Sequence, residues 1–136
     1  MALRTTSEQS EHDLVIAKSA SSFKDTGATV SVNPGNEKSL AIKGLYPDVI
    51  AKNPDGSIII EEIQTESSVT EDECDRQWTP YSKSGYRFNF IVPSSKSGLA
   101  LSFIRNKQLD VNLQSYEVSG DTVKFFDSRG NVIAQK

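Results

Sequence analysis

The sequence is poor in the residues that form covalent or zinc-based cross-links. Cys74 is the only cysteine and His12 the only histidine among 136 residues, so an internal disulfide and a cysteine–histidine zinc site are both excluded. A chain of this length can form one hydrophobic core without such cross-links. A lone thiol is also typical of reducing compartments. We therefore expect a cytoplasmic protein with a single domain over residues 1–136.

Long hydrophobic runs are missing as well. The longest apolar stretches, Ser57–Ile60 and Phe88–Val92, have the length of a β-strand, and the first residues lack the hydrophobic centre of an export signal. We therefore expect no membrane span and no export signal. Hydrophobic residues make up 36% of the chain, enough to argue against a disordered polypeptide.

An excess of positive charge is the third absence. The formal net charge is −3 and the isoelectric point is near 5.2, whereas proteins that bind phosphate backbones passively and tightly are usually basic. A site that recruits divalent cations contributes negative charge of its own. The charge balance therefore argues against passive nucleic-acid binding and remains compatible with a metal site.

Hydrophobic periodicity predicts helices where apolar residues recur every three or four positions, and strands where they alternate or form short β-branched runs. The predicted order is a helix at 7–23, strands at 28–32, 45–51 and 57–65, a helix at 68–84, a strand at 86–92 and a helix at 99–106. Pro80 should kink the 68–84 helix or end it early. This core, about 7–107, is followed by a small C-terminal β meander within about 112–136.

The turn Asn53-Pro54-Asp55-Gly56 predicts that the second and third strands form a hairpin. A three-residue loop pairs Asn53 with Ser57, which fixes the register of both strands. Three pairs then face each other: Ile50 with Ile60, Asp48 with Glu62, and Tyr46 with Gln64. The hairpin therefore predicts two carboxylates side by side.

Opposed residues on neighbouring strands have Cβ atoms roughly 4.5–5.5 Å apart, close enough for Asp48 and Glu62 to share one divalent cation. A register slip of one residue would separate the pair. In the alternative interpretation the strand end is merely solvated, with Glu62 and Gln64 on one face and Ile59, Glu61 and Ile63 on the other.

Pro47-Asp48 followed by Glu62-Ile63-Gln64 resembles the signature of the PD-(D/E)XK nuclease superfamily, in which Pro-Asp on one strand precedes acid-x-Lys on the next. The resemblance implies an α/β (mixed α+β) fold: a three-layer αβββαβ restriction-endonuclease-like core with a mixed central sheet. It also implies that Asp48 and Glu62 hold Mg²⁺ or Mn²⁺.

Gln64 stands where the superfamily usually has lysine, although some of its restriction enzymes carry an acid-x-Gln version. By resemblance, Gln64 joins Asp48 and Glu62 as the third catalytic residue and orients water. A glutamine can position a water molecule but can act neither as a cation nor as a base.

Two further features resemble the superfamily, and each has an alternative interpretation. Glu8 and Glu11 lie on the first helix, where superfamily members often place an extra metal-binding acid; Glu11 is the preferred candidate, and an exposed acidic helix start is the alternative. Gln77 and Tyr81 resemble a Gln-x-x-x-Tyr element of exonuclease-like members that contacts nucleic acid. Four-residue spacing puts both on one helix face, and simple core packing is the alternative.

The resulting hypothesis is a Mg²⁺-dependent or Mn²⁺-dependent nuclease. Its expected substrate is DNA, with RNA left open, and a homodimer would let it reach both strands. A second hypothesis is a catalytically inactive module of the same fold that binds nucleic acid or protein. A third is a general α+β interaction domain in which the acids are solvated.

Overall fold

A seven-stranded mixed sheet runs through the part of the chain that the computed structural model describes, residues 5–33 and 46–136. Its strands lie side by side in chain order: β1 (Thr29–Val32), β2 (Val49–Lys52), β3 (Ile58–Ile63), β4 (Arg87–Pro93), β5 (Asn112–Ser119), β6 (Thr122–Phe126) and β7 (Val132–Gln135). The helices are α1 (Thr6–Asp25), α2 (Glu71–Glu73), α3 (Thr79–Ser82) and α4 (Ser97–Lys107).

Strand direction divides the sheet into three parts. Strands β1, β2 and β3 are antiparallel, β3, β4 and β5 are parallel, and β5, β6 and β7 form an antiparallel meander. The two parallel pairs need crossover connections. The helical segment with α2 and α3 connects β3 to β4, and α4 connects β4 to β5. The predicted α/β class, mixed central sheet, element order and C-terminal meander are confirmed.

Helix α1 begins at a capping box. The Thr5 hydroxyl accepts a hydrogen bond from the Glu8 backbone N–H, and the Glu8 carboxylate accepts one from the Thr5 backbone N–H. The helix ends before Gly27, which has the positive φ of 88° that glycine tolerates. The predicted helix at 7–23 is confirmed and extends slightly at both ends.

The β2–β3 hairpin has the predicted register. Ile50 lies opposite Ile60, and the Asn53 backbone N–H donates to the Ser57 carbonyl at 2.9 Å. Gly56 adopts a φ of 89°, which the three-residue loop requires. The register that predicted the Asp48–Glu62 pair is therefore correct.

The predicted helix at 68–84 is present over 71–82 as one helical segment that contains a π-helical turn. A 3₁₀ turn at Glu66–Ser68 precedes α2, and a π-helical turn at Cys74–Trp78 leads into α3. In the π-helical turn the Thr79 N–H donates to the Cys74 carbonyl, five residues back. Because this wider turn comes directly before Pro80, the proline falls at the beginning of α3, where its missing N–H is tolerated.

The sheet is covered on both faces. One core cluster contains Trp78, Phe88 and Phe90 under the β3–β4 crossover and α4, and the other contains Val15, Ile16 and Tyr116 under α1. Three layers result, as predicted. None of the described helices is long and apolar enough to cross a membrane.

Candidate functional site

Asp48 directly precedes β2 and lies next to Glu62, near the end of β3. The Asp48 backbone N–H donates to Glu62 Oε1 at 3.2 Å, and the Ile63 N–H donates to Asp48 Oδ2 at 2.8 Å. Asp48 is 2% exposed and Glu62 5% exposed. The hairpin therefore brings the two predicted carboxylates together and buries both, in contrast to the alternative of a solvated strand end.

His12 is a member of this site that sequence reasoning did not select. Its Nε2 lies 3.2 Å from Asp48 Oδ2 and its Nδ1 lies 3.4 Å from Asp13 Oδ1, and the ring is fully buried. The available signal was its position on α1, because His12 shares the buried stripe of Val15 and Ile16 at helical spacing. The imidazole therefore joins α1 to the carboxylate pair.

Gln64 follows β3 directly and is only 1% exposed. Its backbone is anchored, since its N–H donates to the Ile91 carbonyl at 2.8 Å and its carbonyl accepts from the Tyr116 hydroxyl at 2.8 Å. Its side-chain Oε1 and Nε2 have no hydrogen-bond partner among the described residues. Burying an unpaired polar group costs about 1–3 kcal/mol, so this amide requires an explanation beyond packing.

Glu11 lies near the site through a shared hydroxyl. The Tyr116 Oη is 3.1 Å from Glu11 Oε2, and the same oxygen contacts the Gln64 carbonyl. Within residues 5–33 and 46–136, however, no three His, Cys, Asp or Glu side chains form a group that could hold a metal ion. Among the described residues, Glu11 is therefore connected to Gln64 through Tyr116 and does not complete a three-carboxylate set with Asp48 and Glu62.

Glu8, the other acid considered on α1, has a structural role. Its Oε2 accepts from the Ser67 backbone N–H at 3.1 Å, and hydrogen bonds from Ser67 lower the pKa of the Glu8 carboxyl to about 2. This contact fixes the start of α1 to the segment that leaves β3.

Tyr81 reaches the site and Gln77 does not join it. Burial raises the pKa of the Tyr81 phenol, and the negative charges of Glu62 and Asp48 and a hydrogen bond to Glu62 raise it further. The Tyr81 ring also packs on Phe88, with ring centroids 5.4 Å apart. Gln77 is half-buried and its side chain makes no hydrogen bond with any described residue. The Tyr81 ring therefore packs in the core, which was the alternative for this pair, while its hydroxyl contacts Glu62.

Lys43 and Lys52 are the lysines nearest to Asp48 along the chain, and therefore the candidates to replace the lysine that is absent at position 64. Lys52 is exposed at the far end of β2, four residues from Asp48, which corresponds to ~13 Å along an extended strand. Lys52 therefore lies away from the carboxylate pair. Lys43, the other candidate, falls outside the described residues.

A further buried carboxyl, Glu61, lies on the α1 side of the sheet. Its oxygens accept hydrogen bonds from the Ser19 hydroxyl and, at 2.9 Å, from Asn89 Nδ2. Burial raises the pKa of Glu61 above its ordinary value of 4.5, while these two donors act in the opposite direction. Sequence reasoning placed Glu61 on the face away from Glu62 without assigning it a role.

We expect Glu61→Gln to stabilise the protein at neutral and alkaline pH. Because the folded-state pKa of Glu61 is raised, the stability that the protonated carboxyl contributes to the wild type is lost as pH rises from 4.5 through that pKa. The amide variant cannot ionise and does not lose this contribution. The Tm of the variant should exceed that of the wild type by roughly 3–6 °C at about pH 8 and converge with it near pH 4. Exposed Glu117→Gln is the control in these thermal unfolding measurements; a Tm difference independent of pH would contradict the prediction.

No protein-family model and no curated protein sequence matches this chain. Among solved structures, the chain is similar to the YaeQ protein from Pseudomonas syringae, with a TM-score of 0.46 and 15% sequence identity over 98% of this chain and 83% of that one. A similarity of this size carries no information about function.

Proposed function

We propose that this protein is a metal-dependent nuclease that hydrolyses phosphodiester bonds, with DNA as the first substrate to test. The observation that carries the proposal is the buried pair Asp48 and Glu62 beside Gln64, whose amide has no partner within the described residues. Two acids held together away from water favour a bound cation, and the unpaired amide favours a further ligand or water at the same place.

The chemistry of these groups suits Mg²⁺ or Mn²⁺ better than zinc. Mg²⁺ is commonly held by one or two carboxylates and keeps several water molecules, so it does not need the three-residue group that the described residues lack. Asp48 and Glu62 would hold the ion. When bound, it would polarise a phosphoryl oxygen and lower the pKa of an attacking water.

The neighbouring side chains have supporting roles in this proposal. Gln64 can accept from a water through Oε1 and donate to a phosphate oxygen through Nε2, but it cannot remove a proton. The Tyr81 phenol, whose pKa lies above its ordinary value of 10.0, is protonated at neutral pH and orients Glu62 by donating to it. His12 orients Asp48 from the helix side.

The charge distribution suggests weak binding of the substrate before catalysis. Two of the basic residues around the α2–α3 segment are already engaged: Arg76 lies 3.3 Å from Asp72, and Lys107 lies 3.0 Å from Asp75. With a net charge of −3, affinity for DNA should be modest and strongly dependent on salt. A homodimer that addresses both strands of a duplex remains part of the proposal.

The test combines metal binding and cleavage. Mg²⁺ and Mn²⁺ are titrated into the protein by calorimetry, and the protein is then incubated with labelled single-stranded, duplex and branched DNA and with RNA, each with and without EDTA. Metal binding together with EDTA-sensitive cleavage supports the nuclease. No metal binding by calorimetry would refute the proposed site.

A non-catalytic binding module of the same architecture is the second candidate. The specific observation that favours it is the depth of the site, because Asp48, Glu62 and Gln64 are each at most 5% exposed and a phosphodiester must displace protein to reach them. The lack of lysine at position 64 has the same implication. In the experiment above, this candidate predicts metal binding without cleavage of any of the substrates.

Gln64→Met separates the role of the amide from its shape. Methionine is of similar length and has no polar amide, so removing the unpaired buried group should stabilise the protein by about 1–2 kcal/mol in urea unfolding. If Gln64 positions water, cleavage should fall about a hundredfold while Mg²⁺ affinity changes less than about threefold. A destabilised variant would show that the amide has a partner that stabilises the fold.

A further inference from the structure

A cavity of about 340 Å³ lies between α1 and the sheet, on the opposite face of β3 from Glu62. Its origin is visible in the sequence of α1. The first half of the helix packs on the sheet through Val15 and Ile16, whereas the second half presents the small polar residues Ser19 and Ser22. These short side chains leave space that larger apolar residues would fill.

The floor of this cavity is polar and buried. Glu61 on β3 and Asn89 on β4 are register partners, and Asn89 is paired in turn with Asn112 on β5. Hydrogen bonds follow the same row, from Asn112 Nδ2 to Asn89 Oδ1 at 2.9 Å and from Asn89 Nδ2 to Glu61 Oε2 at 2.9 Å. Ser19 donates to the other oxygen of Glu61 from α1. A polar row thus crosses three strands of a layer that is otherwise apolar.

Packing alone does not account for Glu61 at this position. The carboxyl is 2% exposed and forms no ion pair with any described residue. Burying an ionised carboxylate without a counter-charge costs free energy that packing does not return. The Ser19 and Asn89 donors do hold its two oxygens in a fixed orientation at the cavity floor.

The walls and rim complete a pocket that is open to solvent. Phe23, Phe125 and Ile133 contribute apolar surface, and Ile133 is 49% exposed at the mouth. Arg87 also lines the cavity, but its side chain is exposed and its charge is screened by water. Its repulsion of a cation inside the cavity is therefore small compared with the attraction of buried Glu61. The volume falls near the lower end of ligand pockets, which are roughly 300–1,000 Å³.

We propose that this cavity binds a small organic cation, a primary ammonium attached to a compact apolar or aromatic group. The ammonium supplies the counter-charge that Glu61 lacks and donates to its carboxylate. The apolar group lies among Phe23, Phe125 and Ile133. This site is separate from the Asp48–Glu62 pair and does not depend on nuclease activity.

The test uses phenethylammonium as the cationic probe and 2-phenylethanol as its neutral analogue. Both are titrated into the full chain by protein NMR and calorimetry, up to ~10 mM. The wild type should bind the cation, with shift changes at Ser19, Glu61 and Asn89. Glu61→Gln should lower the affinity for the cation by about ten- to a hundredfold and the affinity for the neutral analogue by less than about twofold. Equal loss of both probes, or unchanged affinity for the cation, would overturn the proposal.

Two further variants keep the result interpretable. Ser22→Leu leaves Glu61 in place but fills the cavity, and it should remove binding of both probes. Glu117→Gln is the same chemical change at an exposed residue of β5 that does not line the cavity, and it should leave binding of the cation unchanged. Failure of the wild type to bind phenethylammonium, or shift changes confined to residues outside the cavity, would also refute the site.

Discussion

Asp48→Asn should weaken Mg²⁺ binding by about a hundredfold or more, because loss of a group that merely supports a metal ligand already costs about 10- to 100-fold. Any metal-dependent cleavage should fall at least as far. The substitution keeps an oxygen that can accept from the Ile63 N–H, so the hairpin should remain folded. Calorimetry gives the affinity and cleavage of labelled DNA gives the activity.

The matched control is Asp110→Asn, the same chemical change at an exposed residue before β5. It should alter neither metal affinity nor cleavage. If Asp48→Asn binds Mg²⁺ as the wild type does while its circular dichroism spectrum is native, the carboxylate pair is not the metal site. Parallel loss of affinity in both variants would instead point to a general effect of net charge.

Phe90→Ala should destabilise the protein by about 3–5 kcal/mol, a large share of the roughly 5–15 kcal/mol that holds a domain together. Phe90 is fully buried on β4, and its ring centroid lies 4.0 Å from that of Trp78 and 5.9 Å from that of Phe88. No neighbouring segment is free to collapse into the space, since β4 is paired on both sides with β3 and β5.

Urea unfolding measures this loss. Phe103→Ala is the comparison, because Phe103 is only partly buried at the edge of the cluster. Its ring centroid lies 6.0 Å from that of Trp78. It should cost less than about half as much as Phe90→Ala. Similar losses in the two variants would mean that the cluster around Trp78 is more loosely packed than its geometry indicates.

The parts of the fold that sequence predicted are those fixed by local chemistry. The apolar spacing predicts α1, and the Asn53–Gly56 turn fixes the hairpin register because one turn geometry determines every later pair. From that register alone, Asp48 and Glu62 could be placed side by side. The metal, the substrate and the activity remain predictions.

The contacts that sequence did not predict join residues far apart in the chain. His12 reaches Asp48 across 36 positions, and the Tyr116 hydroxyl reaches the Gln64 carbonyl across 52. Glu61 was assigned to the correct side of β3, but its burial depends on Ser19 and Asn89, which only the packing of α1 on the sheet brings together. Local sequence patterns carry no information about such long-range contacts.

The π-helical turn at Cys74–Trp78 determines which way Tyr81 faces. The turn contains one residue more than an α-helix would use to make the same advance. If the same residues instead formed a regular α-helix, everything beyond the turn would be rotated by about 100° around the axis. Tyr81 would then turn away from Glu62. In this segment the hydrogen-bonding pattern of the backbone, and not only the identity of the residues, determines which side chain faces the acids.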